Sequence, residues 1–249
     1  MNYLEGRSLA KKIIENTDVK GAFVCIIKVG KDSSSESYSK AIIKNFEKSG
    51  VKYAMYNLEE TIKREDFIKL ISTFDKTDYI TGVFLFKPLP SHLKDIISEK
   101  DLDNPPCTPA AVMHILNEYN IKLESKNCLI IGRSDVVGKP LANLLLAENA
   151  TVTIAHSYTK NLIDLTKKAE IIICAVGRTG FLKKEMISEN TVIIDVGINF
   201  ENGKLIGDCD FDSLKEITEY ITPVPGGVGP VTNSMLILNL AKKIENNRA

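Results

Sequence analysis

Short apolar runs alternate with stretches of helical periodicity along this chain, and the alternation restricts its possible folds more than any other feature. In the first third of the chain, the runs that predict buried strands are residues 21–29, 51–56 and 79–86. The stretches that predict helices around them are residues 8–16, 36–49 and 66–73. Parallel strands with helices packed on them have this order in sequence. An α/β fold is therefore predicted.

Proline clusters interrupt the alternation near the middle of the chain, at residues 87–90 and 103–109. Because proline ends helices and strands alike, this region is predicted to join two domains. Thr108 is the expected N-cap of a helix that begins at Pro109 and runs to about Asn117. The alternation then resumes, with predicted strands at 127–131, 151–155, 170–175 and 191–196, an apolar segment at 220–222 and a helix at 231–246. We expect two α/β domains with parallel sheets, joined by long helices.

The composition excludes several classes of protein. Lysine and arginine together number 32, as do aspartate and glutamate, and a net charge of zero does not suit a general nucleic-acid binder. No apolar run approaches the roughly 18 residues of a membrane-spanning helix, and the first residues lack the layout of a signal peptide. Five scattered cysteines without a C-x-x-C pair, and only three histidines, predict a reducing, cytoplasmic location and no transition-metal site.

The strongest local motif is GRSDVVGKP at residues 132–140, where a predicted strand meets a predicted amphipathic helix. Glycine lets the backbone approach a pyrophosphate, and a helix N-terminus offers N–H groups to it. The spacing is not G-x-G-x-x-G, because five residues separate Gly132 from Gly138. The motif indicates a Rossmann-type dinucleotide site, and a strand-to-helix turn that binds no ligand is the alternative.

Residues after the following strands would share that edge of the sheet. His156 and Ser157 follow the next strand, at the position where NAD enzymes usually carry an acid. A serine there, with Arg133 in the preceding turn, suits a ribose 2′-phosphate, and two solvated polar residues are the alternative. Gly177 and Gly197 come after the two strands beyond, where a bound cofactor would pass close to the backbone.

A segment rich in proline and glycine, PVPGGVGP at residues 223–230, precedes the last helix. A simple linker would be polar and flexible. Here prolines fix the path of the chain and glycines leave space beside it. We interpret the segment as lining for a flat ligand.

Ten motifs in order resemble the methylenetetrahydrofolate dehydrogenase/methenyltetrahydrofolate cyclohydrolase family. They are GRSLA (6–10), Ser35-x-x-Tyr38, Pro88-Leu89-Pro90, KDLD (100–103), CTP (107–109), GRSDVVGKP (132–140), HSYTKNL (156–162), Ala175-Val176-Gly177, DVGIN (195–199) and TPVPGGVGPVT (222–232). The resemblance covers about residues 3–241, and the last motif and GRSxxVGxP are highly specific to the family.

The resemblance implies a folate-binding catalytic domain formed by residues 1–108 and 231–249. It implies a Rossmann NAD(P)-binding domain at residues 109–230, and a cleft where the two domains meet. Family members oxidise 5,10-methylenetetrahydrofolate with NAD(P) in one-carbon metabolism, and most then hydrolyse the methenyl product. They are typically homodimers. For this chain, NADP is the expected cofactor, with NAD possible.

The resemblance also implies roles for individual residues. Tyr38 would stack on the aminobenzoyl ring of the folate and Asp103 would pair with the pterin edge, and these two are the catalytic candidates. Further implied substrate contacts are Phe86, Pro88, Leu89, Pro225, Gly226 and Gly227. The implied cofactor contacts are Gly132, Arg133, Ser134, Val137, Gly138, Pro140, His156, Ser157, Thr159, Ala175, Val176, Gly177, Gly197 and Ile198.

Two catalytic positions of the family differ in this chain. The lysine four residues after the tyrosine is Ile42 here, and the glutamine before L-P-L-P is Phe86. Lys40 and Lys44 each lie about 200° around a helix from Ile42, and Lys87 lies on the other face of the strand from Phe86. A family segment that follows Asp103 is missing, so the folate pocket is expected to be more open there.

The two half-reactions of the family place different demands on these positions. Hydride transfer needs only alignment of the methylene carbon with the nicotinamide, whereas hydrolysis needs a positioned acid–base group. The leading hypothesis is therefore a dehydrogenase whose cyclohydrolase activity is lost or weak. Two alternatives stay open: a bifunctional enzyme with Lys40, Lys44 or Lys87 as a relocated base, and a non-catalytic paralogue that binds folate or nucleotide.

Overall fold

The computed structural model describes residues 2–30, 34–87, 89–201 and 203–246, and the side chains of Asn2 and of residues 34–38 are outside this description. The strands are β1 (Asn2–Tyr3), β2 (Phe23–Val29), β3 (Lys52–Leu58), β4 (Gly82–Leu85), β5 (Asn127–Ile131), β6 (Thr151–Ala155), β7 (Ile171–Cys174), β8 (Val192–Asp195), β9 (Asn199–Glu201), β10 (Lys204–Ile206) and β11 (Tyr220–Ile221). The helices are α1 (Gly6–Asn16), α2 (Ser34–Lys48), α3 (Arg64–Asp75), α4 (Cys107–Glu118), α5 (Gly138–Ala147), α6 (Leu162–Lys168), α7 (Phe211–Leu214) and α8 (Val228–Asn246), with a 3₁₀ helix at Lys184–Met186.

Two compact units make up the chain. One comprises Met1–Ala10 and Pro106–Thr232, and the other comprises Lys11–Pro105 and Asn233–Ala249. The division differs from the sequence prediction chiefly at the N-terminus, where β1 pairs in parallel with β11 and so joins the first unit. As functional domains, residues 1–108 with 231–249 and residues 109–230 stay a prediction.

The first unit contains a six-stranded parallel sheet with the strand order β1-β11-β8-β7-β5-β6. Strands β7 and β8 are rich in isoleucine and buried along their whole length, as expected where helices and loops cover both faces. Ile131, the last residue of β5, pairs with Ala155 of β6 and with Cys174 of β7. Because these three strands end at the same level, the turns that follow them lie at one edge of the sheet.

The second unit contains a three-stranded parallel sheet with β2 between β3 and β4. Helix α3 buries Phe67, Ile71 and Phe74, which recur at helical spacing and pack in one core with Ile27 and Leu93. Both sheets of the α/β fold are parallel, as the alternation of strands and helices predicted.

Several predicted boundaries are wrong. Helix α4 begins at Cys107 with Pro106 at its N-cap, so Thr108 does not cap it. Pro109 lies in the first turn, where the missing N–H of proline costs no helical hydrogen bond. Helix α8 begins at Val228 rather than at residue 231, and β4 ends one residue before Phe86. The antiparallel hairpin of β9 and β10 was not predicted, because three-residue strands leave no periodic signal.

In the described part of the chain, no helix has both the length and the apolar character needed to cross a bilayer. The same residues bring no three histidine, cysteine, aspartate or glutamate side chains together where they could hold a metal ion. The cytoplasmic location stays a prediction.

Candidate active site

The turn between β5 and α5 places two glycines directly against neighbouring backbone. Gly132 has a φ of 132°, and a Cβ atom added there would lie 2.3 Å from the carbonyl oxygen of Ala175. A Cβ atom on Gly138 would lie 2.2 Å from the carbonyl oxygen of Gly132. Only glycine fits these positions. The turn therefore brings bare backbone to the N-terminus of α5, which is how dinucleotide folds bind a pyrophosphate.

Arg133 lies beside the segment that follows β6. Its guanidinium is 5.5 Å from the centre of the Tyr158 ring. Two hydrogen bonds close the segment: His156 N–H donates to Thr159 Oγ1 at 2.8 Å, and Tyr158 N–H donates to His156 Nδ1 at 3.2 Å. Arg133 and Ser157 are both exposed. The structure thus brings Arg133 next to the segment that carries Ser157, and the contact of these two residues with a 2′-phosphate stays a prediction.

A buried carboxylate that the sequence analysis missed, that of Asp208, holds the backbone after β7. Its Oδ2 accepts hydrogen bonds from Val176 N–H at 2.6 Å and Gly177 N–H at 2.9 Å. Its Oδ1 accepts from Arg178 N–H at 2.8 Å and from Asn199 Nδ2 at 2.9 Å. A carboxylate removed from solvent is stable only when it is hydrogen-bonded in this way. Asp208 therefore fixes two of the residues that were predicted to line the cofactor site.

Asp195, the last residue of β8, extends this network. Its Oδ1 accepts from Gly197 N–H at 2.9 Å and Asp208 N–H at 3.0 Å, and its Oδ2 accepts from Cys209 N–H at 2.9 Å. Burial raises the pKa of Asp195 to about 6, although these N–H groups oppose the rise. A Cβ atom on Gly197 would lie 2.2 Å from Cγ of Asp208. At Gly197 the neighbour that requires glycine is thus a buried side chain, and contact of Gly197 with a cofactor stays a prediction.

The segment at residues 223–230 packs against the N-terminal GRSLA motif. Gly6 N–H donates to the carbonyl oxygen of Gly226 at 2.8 Å, and a Cβ atom on Gly6 would lie 1.9 Å from the carbonyl oxygen of Gly227. Gly226 and Gly227 are buried, whereas Pro225 is exposed. The structure therefore gives the two glycines a packing role, and their contact with a flat ligand stays a prediction.

Apolar side chains occupy both positions that the resemblance assigns to proton-handling groups. Ile42 of α2 is 1% exposed. Phe86, directly after β4, is buried, and its ring centre lies 5.0 Å from that of Phe84 in a T-shaped arrangement. Lys40 and Lys44 are exposed on α2. The helix thus separates its buried isoleucine from the two neighbouring amines.

Lys87 forms an ion pair that was not predicted. Its Nζ lies 2.8 Å from Oδ2 of Asp103 and 3.9 Å from Oδ2 of Asp101. Asp101 is buried, and this burial raises its pKa, while the hydrogen bond from Asp103 N–H and the charge of Lys87 act in the opposite direction. The predicted pterin-binding carboxylate therefore carries a cation beside it.

The remaining predicted contacts lie as follows. Ser134 is exposed, and its Oγ accepts a hydrogen bond from Val137 N–H at 3.2 Å. Val137, Pro140 in the first turn of α5, and Ala175 are half-buried, whereas Ile198 is exposed. Leu89 is half-buried and packs against the core of its unit. Tyr38 lies in α2 with a side chain outside the described residues, and Pro88 lies outside them altogether.

Two family models match this chain in succession. A model for the catalytic domain of tetrahydrofolate dehydrogenase/cyclohydrolase matches residues 4–103, and a model for the NAD(P)-binding domain of the same family matches residues 106–248. The chain belongs to the tetrahydrofolate dehydrogenase/cyclohydrolase family. The resemblance that the ten motifs indicated is confirmed, and this family member carries both the catalytic and the NAD(P)-binding domain.

Relatives of known name match over nearly the whole length. The bifunctional protein FolD of Dictyoglomus turgidum is 40% identical over 277 residues, with 99% of each chain covered. The crystal structure of bifunctional FolD from Campylobacter jejuni has a TM-score of 0.93 at 37% identity, with 99% of each chain covered. FolD of Trypanosoma brucei, solved with NADP and an inhibitor, has a TM-score of 0.90 at 29% identity, with 98% of each chain covered.

This family member is shorter than its relatives. The alignment with the Dictyoglomus protein extends over 277 positions, whereas the chain has 249 residues, so at least 28 positions have no counterpart here. The catalytic-domain match ends at Asp103 and the next match begins at Pro106. The predicted missing segment after Asp103 agrees with both observations.

Proposed function

We propose that this chain oxidises 5,10-methylenetetrahydrofolate to 5,10-methenyltetrahydrofolate by hydride transfer to NADP, in one-carbon metabolism, and that its cyclohydrolase activity is lost or weak. The observation that carries the proposal is a contrast between the turns that would bind the cofactor and the two positions that would hold proton-transfer groups. The dinucleotide turns at Gly132, Arg133 and Gly177 are complete, whereas Ile42 and Phe86 replace the groups that would move protons.

The dehydrogenase half-reaction requires little of the protein beyond binding and alignment. NADP, when bound, supplies the hydride acceptor. The residues that would hold it are Gly132 and Gly138 at the pyrophosphate, Arg133 and Ser157 at the 2′-phosphate, and Gly177 beside the path of the dinucleotide. A Cβ atom on Gly177 would meet no atom within 4 Å, so the space beside this turn can admit a ligand. No step in this half-reaction needs a proton-transfer group.

The hydrolytic half-reaction needs water to attack the methenyl carbon while protons move. Neither Ile42 nor Phe86 can transfer a proton. The exposure of Lys40 and Lys44 and the pairing of Lys87 with Asp103 weigh against a relocated base. On the folate, we propose that Tyr38 stacks on the aminobenzoyl ring, that Asp103 pairs with the pterin edge, and that Pro88, Leu89 and Pro225 line the pocket.

Purified protein should form methenyltetrahydrofolate from methylenetetrahydrofolate with NADP, as measured by absorbance. Arg133→Gln should raise the KM for NADP at least about tenfold and leave the KM for NAD within about twofold, because a guanidinium on phosphate forms charge-assisted hydrogen bonds. The matched control is Arg64→Gln, since Arg64 is an arginine of the other unit and pairs with Asp95 at 2.7 Å. Equal effects of Arg133→Gln on both cofactors would exclude its role at the 2′-phosphate. Absence of product with either cofactor would favour the non-catalytic paralogue.

We also propose a homodimer, formed at the hairpin of β9 and β10. Phe200 and Leu205 face each other across the hairpin, and Phe200 is 70% exposed. Exposed apolar side chains in a cluster are typical of association surfaces. Light scattering should give twice the 27.6 kDa of one chain, and Phe200→Ser should shift the protein towards monomer. Leu146→Ser, at an exposed apolar position on α5, is the control. A monomeric wild-type protein would contradict the proposal.

A further inference from the structure

Three charged side chains of the second unit, those of Lys87, Asp101 and Asp103, lie together just after β4. The Nζ atom of Lys87 lies 2.8 Å from Asp103 and 3.9 Å from Asp101. The side chain of Lys87 is 37% exposed and that of Asp103 is 19% exposed, whereas that of Asp101 is 6% exposed. The cation and the outer carboxylate are thus within reach of a ligand, and the inner carboxylate is not.

The segment that carries the two carboxylates is held rigidly. Leu102 N–H donates to the carbonyl oxygen of Val83 in β4 at 2.8 Å, and Asp103 N–H donates to Oδ1 of Asp101 at 2.9 Å. Nδ2 of the buried Asn239 donates to the carbonyl oxygens of Leu102 at 2.8 Å and Pro105 at 3.0 Å. Asp103 is therefore fixed before any ligand arrives, which reduces the entropy cost of binding.

A carboxylate by itself offers only hydrogen-bond acceptors, and an ammonium group offers only donors. The Lys87–Asp103 pair offers both, side by side. The complementary ligand edge has an N–H donor next to a carbonyl acceptor, as in a cyclic amide. An edge with two amino groups would instead direct one of its N–H donors at the Lys87 ammonium, which is itself only a donor, so the ligand's amino group would find no acceptor there.

We propose that Lys87 is a specificity-determining residue, which together with Asp103 recognises the cyclic amide edge of a 4-oxopteridine and rejects a 4-aminopteridine. The inference rests on the proposed function, because it takes the folate as the ligand at Asp103. The ammonium group of Lys87 would donate a hydrogen bond to the 4-oxo group of the pterin, in addition to the contact that Asp103 makes. The resemblance gives glutamine followed by leucine at the positions that Phe86 and Lys87 occupy in this chain.

Folic acid and aminopterin form a matched pair of probes, because they differ at one edge of the ring: folic acid has a 4-oxo group beside an N3–H donor, and aminopterin has a 4-amino group beside an N3 acceptor. Calorimetry on the wild-type protein should show that folic acid binds at least about tenfold more tightly than aminopterin. A site built to donate a hydrogen bond to the 4-oxo group binds poorly to a ligand with a donor at that position. Lys87→Met should reduce this ratio to about threefold or less, and Lys87→Arg, which keeps the cation, should preserve it. Lys94→Met, at an exposed position, is the control.

A ratio unchanged by Lys87→Met, or equal affinities in the wild-type protein, would overturn the inference. Thermal unfolding of each variant distinguishes a change in recognition from loss of the fold. If the methionine variant is unfolded, Lys87→Gln tests the inference, because its amide accepts as well as donates and should also reduce the ratio. Turnover of methylenetetrahydrofolate is measured separately. If the wild-type protein turns over methylenetetrahydrofolate but Lys87→Met leaves the folic acid to aminopterin affinity ratio unchanged, the role of Lys87 is refuted and the proposed function stands. If the affinity ratios are as expected but the wild-type protein has no turnover, the proposed dehydrogenase activity is refuted and the role of Lys87 stands.

Discussion

Asp208→Ala should eliminate detectable NADP binding and lower the free energy of unfolding by about 3 kcal/mol or more. The substitution removes the acceptor of four hydrogen bonds, three of which come from consecutive backbone N–H groups at residues 176–178. Each buried donor left unpaired costs about 1–3 kcal/mol. The turn after β7, which is proposed to lie beside the dinucleotide, would lose the carboxylate that accepts from all three of these N–H groups.

Urea unfolding and NADP calorimetry measure the two effects separately. Asp208→Asn keeps the size of the side chain but replaces one acceptor oxygen with an NH₂ donor, so it should be intermediate in stability. The control is Asp212→Ala, because Asp212 is an exposed carboxylate paired with Lys215, and such pairs contribute at most about 1 kcal/mol. Wild-type affinity for NADP in a folded Asp208→Ala protein would show that the turn plays no part in binding.

Local features of the sequence predicted most of the first unit. Strands β5 and β6 begin and end at the predicted residues, because each is a short stretch rich in apolar or β-branched residues that ends at a turn. The Gly132 turn was predicted for the same reason, since a strand, a glycine turn and a helix are contiguous in sequence. β1 and β11, of two residues each, were beyond this reasoning, because only their pairing in the sheet defines them.

Side chains that act over long sequence separations were not predicted. Asp208 lies about thirty residues from the backbone that it holds, and its Gly207-Asp208 sequence resembles many surface turns. The pairing of Lys87 with Asp103 depends on the chain after residue 97 returning to β4, where Val83 bridges to Asp101. Strand alternation placed Lys87 and Phe86 on opposite faces of one strand, but β4 ends at Leu85, before both residues. The structure nevertheless has a buried ring at Phe86 next to the exposed Lys87.

The second large effect is expected in the hydrolysis of methenyltetrahydrofolate. This chain should accelerate hydrolysis at least about 100-fold less than the bifunctional Campylobacter jejuni relative assayed beside it, because a positioned acid–base group contributes about 10²–10⁴-fold. Its dehydrogenase activity should not show a comparable loss. Each reaction is followed by the absorbance of the methenyl compound, with NADP present for oxidation and absent for hydrolysis.

Restoring the family residues should restore part of the hydrolysis. Ile42→Lys with Phe86→Gln should raise the hydrolytic rate at least about tenfold, while the size-matched control Ile42→Met with Phe86→Leu should not. Position 42 is 1% exposed, so a lysine there would be desolvated, which lowers the pKa of an amine towards the neutral range where general bases are most effective. The same burial costs stability, so unfolding must be measured on each variant. If instead the wild-type chain hydrolyses its product as fast as the relative, and Lys40→Met, Lys44→Met or Lys87→Met abolishes that activity, the base has been relocated and the loss of hydrolysis is refuted.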